Sequence, residues 1–355
     1  MAGGYGRRNA GDSDYRHRGK IGKRMVSAMT KITWTNETVN PWVGCKKCAA
    51  GCLHCYAEKM AWRLKCMGKP AYQEAVGADH KWTGNIVRQP GQLEKVLGWR
   101  NPRMIFWGSM TDIFNEKVPF EWIDEVMAVI ALCPQHTFQI LTKRIERAAE
   151  YYNLNPDKAL YLCTEGRVGR QTEKIAREKL GVDTSKTNWD MFWDWPLPNL
   201  RLGWSCSTQD DIDRMTPIGL PIPAAVHFLS LEPMLENIEL LKYLWLRQKC
   251  VGQKGCGFIG ASYDFNNPKK DGTYRCPQCG KNHSYLITDS IDQVIIGCES
   301  GPNRRPCKLE WVEDLIGQCD DAGVQVFVKQ IEINGKVSHN PKEWPKWAQR
   351  QEYPK

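Results

Sequence analysis

The sequence predicts an α/β fold with parallel strands, and three observations predict it. Strand-like and helix-like stretches alternate along most of the 355 residues, which implies parallel strands joined by right-handed crossovers. The polar motifs fall where strands end, at Gly108 to Asp112, Thr142 to Arg144, Ser205 to Thr208, Glu232 and Glu299 to Gly301. A barrel gathers its functional residues at those C-terminal strand ends. The length suits one barrel with insertions. A doubly wound open sheet is the competing arrangement.

The first strand-like segment is Thr38 to Gly44, and four cysteines follow it at once. Ala57 to Met67 reads as a helix with a mixed basic and apolar face. Arg103 to Trp107 is a strand. Phe120 to Cys133 carries Ile123, Val126, Met127 and Ile130 at helical spacing. Thr137 to Leu141 is the next strand, followed by a helix reaching about Tyr152. Further strands are Leu200 to Cys206, Ala225 to Leu231, Gln293 to Cys298 and Val324 to Lys329. A helix from Leu309 to Ala322 lies between the last two, with Gly323 at its expected C-cap.

This pattern divides the chain. Residues 1–30 read as a disordered basic extension, 31–153 as the first half of the barrel, and 154–198 as a polar and aromatic insertion. Residues 199–246 resume the barrel, 247–288 form a second insertion with its own cysteines, 289–335 end the barrel, and 336–355 are a C-terminal tail.

A hydrophobic content of 42% is ample for a core. No run of eighteen apolar residues exists, which argues against a transmembrane helix and a membrane partner. No apolar stretch follows the N-terminus as in a secretory signal. Fifteen cysteines at clustered spacings, without an export signal, point to a reducing, cytoplasmic setting with metal sites. The net charge of +9 owes +5 to residues 1–30. Mild attraction to nucleic acid is one consequence, and a solvated tail explains the same charge.

Cys45, Cys48, Cys52 and Cys55 fall within eleven residues. Thiolates select zinc, Cu(I) or iron–sulfur clusters. A four-cysteine zinc site sets two Cys-x-x-Cys knuckles about a dozen or more residues apart, whereas three residues separate Cys48 from Cys52. That spacing suits a loop around one corner of a cubane. Ferredoxin-type runs need a fourth cysteine, usually followed by proline, and none of these four precedes one. A zinc knuckle or a redox pair is the competing reading. The second set, Cys250 and Cys256 with Cys276-Pro-Gln-Cys279-Gly, matches a zinc ribbon. An insertion with so little core would draw on the order of 10 kcal/mol of folding free energy from Zn²⁺. Lys254, Lys269, Lys270, Arg275 and Lys281 would let it grip nucleic acid or protein, with a purely structural staple as the plainer reading.

Asn40-Pro-Trp-Val-Gly-Cys45 followed by Gly51-Cys52-Leu-His-Cys55-Tyr-Ala resembles the cluster loop of radical S-adenosylmethionine enzymes, in particular the spore photoproduct lyase-like branch. The usual first gap is three residues. It is three from Cys48 to Cys52 here, or six from Cys45. The longer gap is similar to that of an uncharacterised phage-associated three-cysteine-motif family. The resemblance implies a partial (β/α)6 barrel, here with the zinc-ribbon-like insertion. It also implies a [4Fe–4S] cluster on Cys45, Cys52 and Cys55, with Cys48 as rival first ligand. Three ligands leave one iron open to chelate the amino and carboxylate groups of S-adenosylmethionine.

Thr111-Asp112-Ile stands where that branch has Thr-Asp-Pro, Leu141-Thr-Lys143 where it has Thr-Lys, and Trp204-Ser205-Cys-Ser207 follows on the fourth strand. The likeness implies that Ser109 and Thr111 bind S-adenosylmethionine with support from Asp112, and that Lys143 with Ser205 or Ser207 holds its carboxylate or ribose. Glu232 and Glu299, at later strand ends, would orient substrate or cofactor amines, or serve as hydrogen bonders at the barrel mouth. Cys298 is a candidate to return a hydrogen atom to a substrate radical, with a buried structural thiol as the plainer reading.

Two functions are therefore expected. One is a radical enzyme acting on a nucleic-acid base or nucleotide, in repair or modification, supplied with electrons by a flavodoxin- or ferredoxin-type donor. The other is a zinc-stabilised nucleic-acid-binding protein without catalysis, stacking bases on some of its fifteen tryptophans.

Overall fold

One eight-stranded sheet organises the chain in the computed structural model, which describes residues 32–152, 161–181, 196–244, 247–250, 259–261, 285–288 and 290–354. In chain order, β1 (Glu37–Val39) and β2 (Trp42–Val43) precede α1 (Tyr56–Cys66), α2 (Pro70–Ala75), β3 (Val87–Arg88) and α3 (Gln92–Leu97). Next come β4 (Met104–Trp107), α4 (Phe120–Leu132), β5 (Thr137–Thr142), α5 (Ile145–Tyr152), α6 (Tyr161–Leu180), β6 (Leu200–Ser205), α7 (Gln209–Gly219) and β7 (Val226–Leu231). The remainder is α8 (Leu241–Leu244), β8 (Arg247–Cys250), β9 (Ile259–Ala261), β10 (Tyr285–Thr288), β11 (Gln293–Gly297), α9 (Leu309–Ala322), β12 (Gln325–Ile333) and β13 (Lys336–Ser338).

The strand order is β1-β4-β5-β6-β7-β11-β12-β13. The first seven pair in parallel and β13 turns back antiparallel. The fold is thus α/β with a mostly parallel sheet, and its seven parallel strands match the seven strand-like segments, one more than the family resemblance implied. Parallel order follows sequence order without reversal, so the switch point of a doubly wound sheet is absent among the described residues.

The sheet curves. Ile105, Trp107, Leu229, Val294, Ile296, Val326 and Val328 face the helices in the main core, while Phe106, Phe228, Ile295 and Phe327 point to the other side and pack with Trp34. The Trp34 ring lies 4.7 Å from Phe106 and 6.2 Å from Phe228. Three strand spacings separate β4 from β7, roughly 14 Å on a flat sheet. Contact of both rings with one indole requires the inner face to be concave. No ladder joins β1 to β12 or β13 among the described residues, so the curve is open.

Expected and observed elements agree closely where periodicity is strong. α9 spans Leu309–Ala322, and Gly323 caps it in the left-handed conformation at φ 69°. The segment Thr38 to Gly44 is interrupted, however. Pro41 has no N–H to continue the β1 ladder, and β2 leaves to pair with β3 instead. α6 packs on α4, with Arg167 Nε 3.3 Å from Asp124 Oδ2. In the other insertion, β8 pairs with β10 and β9, and Cys250 stands opposite Tyr285. Residues 1–30 and Cys256, Cys276 and Cys279 lie outside the described residues.

Candidate active site

The C-terminal strand ends surround a cavity of about 210 Å³ whose walls include Cys45, Cys52 and Cys55. The thiol loop starts at Gly44, whose φ of +112° and contact with Asn85 leave no room for a side chain. Gly44 N donates to Met110 O at 3.2 Å, and Thr111 Oγ1 donates to Gly44 O at 2.8 Å. Asn40, just past β1, donates from Nδ2 to Ser109 Oγ and accepts from Met110 N on Oδ1. At the far end, Tyr56 Oη donates to Ser109 O at 2.9 Å. The Thr111 hydroxyl and the Ser109 carbonyl therefore fasten the two ends of the thiol loop to the end of β4.

Asp112 organises the next strand end. Its Oδ1 accepts from Thr142 Oγ1 at 2.8 Å and Phe114 N at 3.0 Å, and its Oδ2 accepts from Lys143 N and Arg144 Nη1. Arg144 is 5% exposed. It also reaches Glu116 at 2.8 Å and Lys46 O at 2.7 Å, and lies 3.9 Å from Cys45 Sγ. From the opposite side, Arg305 donates to Ala50 O at 3.0 Å while its N, Nε and Nη2 hold Glu299. Two guanidinium groups, each anchored on carboxylate, thus grip the backbone of the thiol loop at Lys46 and Ala50.

The four thiols differ. Cys48 is exposed and hydrogen-bonded to Cys52, which holds Cys52 well below an ordinary thiol, with Lys143 adding to the effect. Burial pushes Cys45 up to about 12, reinforced by Asp112 and opposed by Arg144. Burial also raises Cys55. All four are free thiols.

Lys143 Nζ bonds Ser205 Oγ at 2.6 Å. No carboxylate lies within ion-pair reach of it among the described residues. Ser207, by contrast, points under the thiol loop: its Oγ is buried without a partner among the described residues, 2.3 Å from where a Cβ on Gly51 would sit. On the far wall, Glu232 pairs with Lys329 at 2.8 Å across β11, and Ser230 Oγ donates to Glu232. Cys298 is 2% exposed, and burial raises its thiol to about 12. Trp34, Phe106 and Leu141 form the apolar floor.

The fold thus brings Ser109, Thr111, Asp112, Lys143, Ser205, Glu232 and Cys298 to one cavity with three of the four clustered cysteines. Sequence reasoning missed Arg144 and Arg305 as clamps and Lys329 as partner of Glu232. Only the Thr-Lys-Arg run signalled the first of these.

Soft ligation fits this donor set. Three thiols share the cavity with an ammonium that has no carboxylate partner among the described residues, and a cubane takes each thiolate on a different iron. Among the described residues, no three His, Cys, Asp or Glu side chains converge as a site for a metal ion.

An open, curved parallel sheet with a thiol-lined cavity at its C-terminal edge defines an α/β protein built around one strand-end site. Residues 29–350 match the family described as Protein of unknown function (DUF5131), and the chain belongs to that family. No curated protein and no solved structure matches it. None of the described helices is long and apolar enough to cross a membrane.

Proposed function

We propose that this protein is a radical S-adenosylmethionine enzyme of the spore photoproduct lyase-like kind, on a partial (β/α)6-type barrel, acting on a nucleic-acid base or nucleotide. One observation carries the reading: Cys45, Cys52 and Cys55 line a single strand-end cavity while Cys48 is exposed. Those three thiolates would hold a [4Fe–4S] cluster and leave one iron for the cofactor. When bound, the cluster and S-adenosylmethionine supply reductive cleavage of the S–C5′ bond and a 5′-deoxyadenosyl radical that abstracts hydrogen from substrate.

The chain's own residues do the rest. Arg144 and Arg305 hold the thiol loop in shape. Lys143 offers its ammonium to the cofactor carboxylate, with Ser205 orienting it. Trp34, Phe106 and Leu141 keep water from the cavity floor. Glu232, Lys329 and Gln330 give the far wall both donors and acceptors, the combination that reads the edge of a heterocyclic base. Cys298 keeps its hydrogen at neutral pH beside the same wall. A Zn²⁺ on Cys250, Cys256, Cys276 and Cys279 belongs to the proposal, supported by the β8–β10 pairing that returns the chain opposite Cys250.

Anaerobic reconstitution tests the reading. The protein should turn brown with about four irons in the first site, and with dithionite and S-adenosylmethionine release 5′-deoxyadenosine, faster when the right DNA or nucleotide is added. Cys52→Ala and Cys55→Ala should abolish both colour and product, and Cys48→Ala neither. A colourless protein holding two zinc ions would reject it in favour of a non-catalytic nucleic-acid binder.

A further inference from the structure

We infer that the outer face of α1, continued onto the tip of the thiol loop, is the docking surface for a small acidic protein that delivers single electrons. The inference rests on the function proposed above, which takes its electron from outside the chain. Four of the large hydrophobic side chains exposed among the described residues lie here: Leu53 at 56%, Tyr56 at 49%, Met60 at 40% and Met67 at 69%. Tyr56, Met60 and Met67 follow helical spacing along one side, while Ala57 and Ala61 face inward. The stripe runs roughly 16 Å at the helical rise, and Leu53 extends it between Cys52 and Cys55. Apolar side chains clustered in this way, unlike single scattered ones, mark an interaction site.

Charge selects the partner. Residues 45–70 hold six Lys and Arg against one acid, Glu58, and Glu58 is already paired with Lys47 at 2.8 Å. The segment's net +5 compares with +9 for the whole chain and +5 for residues 1–30, leaving −1 for everything else. Lys59 and Arg63 are exposed alongside Met60. A complementary partner presents carboxylates around an apolar centre.

Nucleic acid fits this face less well, because base stacking needs free flat rings. Trp62 is already stacked on His80 at 3.7 Å, and Tyr56 is tied through its hydroxyl to Ser109. Met60, Met67 and Leu53 are flexible aliphatic groups, the adaptable surface of protein interfaces. A protein seated on Leu53 touches the loop that carries Cys52 and Cys55, so the electron would enter by contact.

The test compares the reconstituted full chain with its Met60→Glu/Arg63→Glu variant, and with Met67→Glu/Lys69→Glu as a second, independent change. Binding of fluorophore-labelled flavodoxin is read by anisotropy, and 5′-deoxyadenosine is measured with dithionite or with flavodoxin and its reductase. Wild type should bind flavodoxin in a salt-sensitive manner. Each variant should bind roughly tenfold more weakly and lose flavodoxin-driven product to a similar degree, with dithionite-driven product unchanged. Equal flavodoxin binding by all three proteins overturns the inference. So does selective loss of single-stranded oligonucleotide binding, which would give the surface to nucleic acid. Failure of the wild type to form 5′-deoxyadenosine with dithionite sinks the proposed function itself, whatever flavodoxin does.

Discussion

Gly51 packs over Ser207 with no space for a side chain between them. A Cβ at Gly51 would lie 2.3 Å from Ser207 Oγ, with Lys143 Nζ and Pro233 Cδ at 3.2 and 3.4 Å. Gly51→Ala should therefore cost about 1–3 kcal/mol and, on the proposed function, lower iron uptake, measured by urea unfolding and by metal analysis after reconstitution. Adding Ser207→Ala removes the clashing oxygen and should restore both. Ser207→Ala alone deletes a buried hydroxyl that has no partner among the described residues and should raise stability by about 1 kcal/mol. Asp112→Asn acts in the opposite direction. It leaves the buried Arg144 with only Glu116, which is 62% exposed, as its ion pair, and should cost about 3 kcal/mol. The cysteines and Asp112 were legible as residues because their spacing is local. Ser207 was expected in the cavity, and its true position under Gly51 depends on a contact 156 residues away along the chain.

At the scale of elements, the site depends on connections that cross the sheet. Thr208 caps α7, its side chain accepting from Asp211 N, so Thr208→Ala should cost about 1 kcal/mol in urea unfolding. The loop from β11 to α9 is held by Arg305 on Glu299. Burial pushes the Glu299 carboxyl up, but the three Arg305 contacts outweigh it, and the net shift is downward. A depressed carboxyl gives stability that is fully present above its unfolded value of about 4.5 and is lost as pH falls through the folded one. Wild type should thus lose more stability than Glu299→Gln between pH 6 and the acid side of that value, a difference that paired urea titrations would resolve. α9 was read to the residue because apolar periodicity and a capping glycine agree. α6 was read as part of an insertion, since its exposed face is rich in Arg, Lys and Glu and its partner α4 is remote in sequence. The β2–β3 pair, two residues each, is too short to carry a period.

The whole molecule solves a problem that its curvature creates, because an open parallel sheet leaves a strand edge that invites pairing with another chain. β12 is the last parallel strand, and its outer edge is covered along both halves. Ile331 to Ile333 pair with β13. Nearer its start, Val328 N donates to Arg350 O, Glu352 N donates to Val326 O, and Val326 N donates to the Glu352 carboxylate. Trp344, 3% exposed, and Ala348 pin this returning segment to the main core. None of this was visible in the sequence, where residues 336–355 show neither period and read as a tail. Their order comes from a ready-made edge rather than from propensity. A chain ending at His339 should accordingly keep β13 but expose the first half of the β12 edge and the Trp344 site. Losing one large buried aromatic costs about 3–5 kcal/mol, enough to lower Tm by about 10 °C for a domain of this size. The open edge should add concentration-dependent association, seen as larger species in light scattering at protein concentrations where the full chain scatters as a single species. Trp344→Ala separates the two effects: it should reproduce most of the loss in Tm while the backbone of residues 350–352 still covers β12. Association of Trp344→Ala equal to that of the shortened chain would mean that the packing of this one indole, and not the backbone ladder, keeps the edge closed.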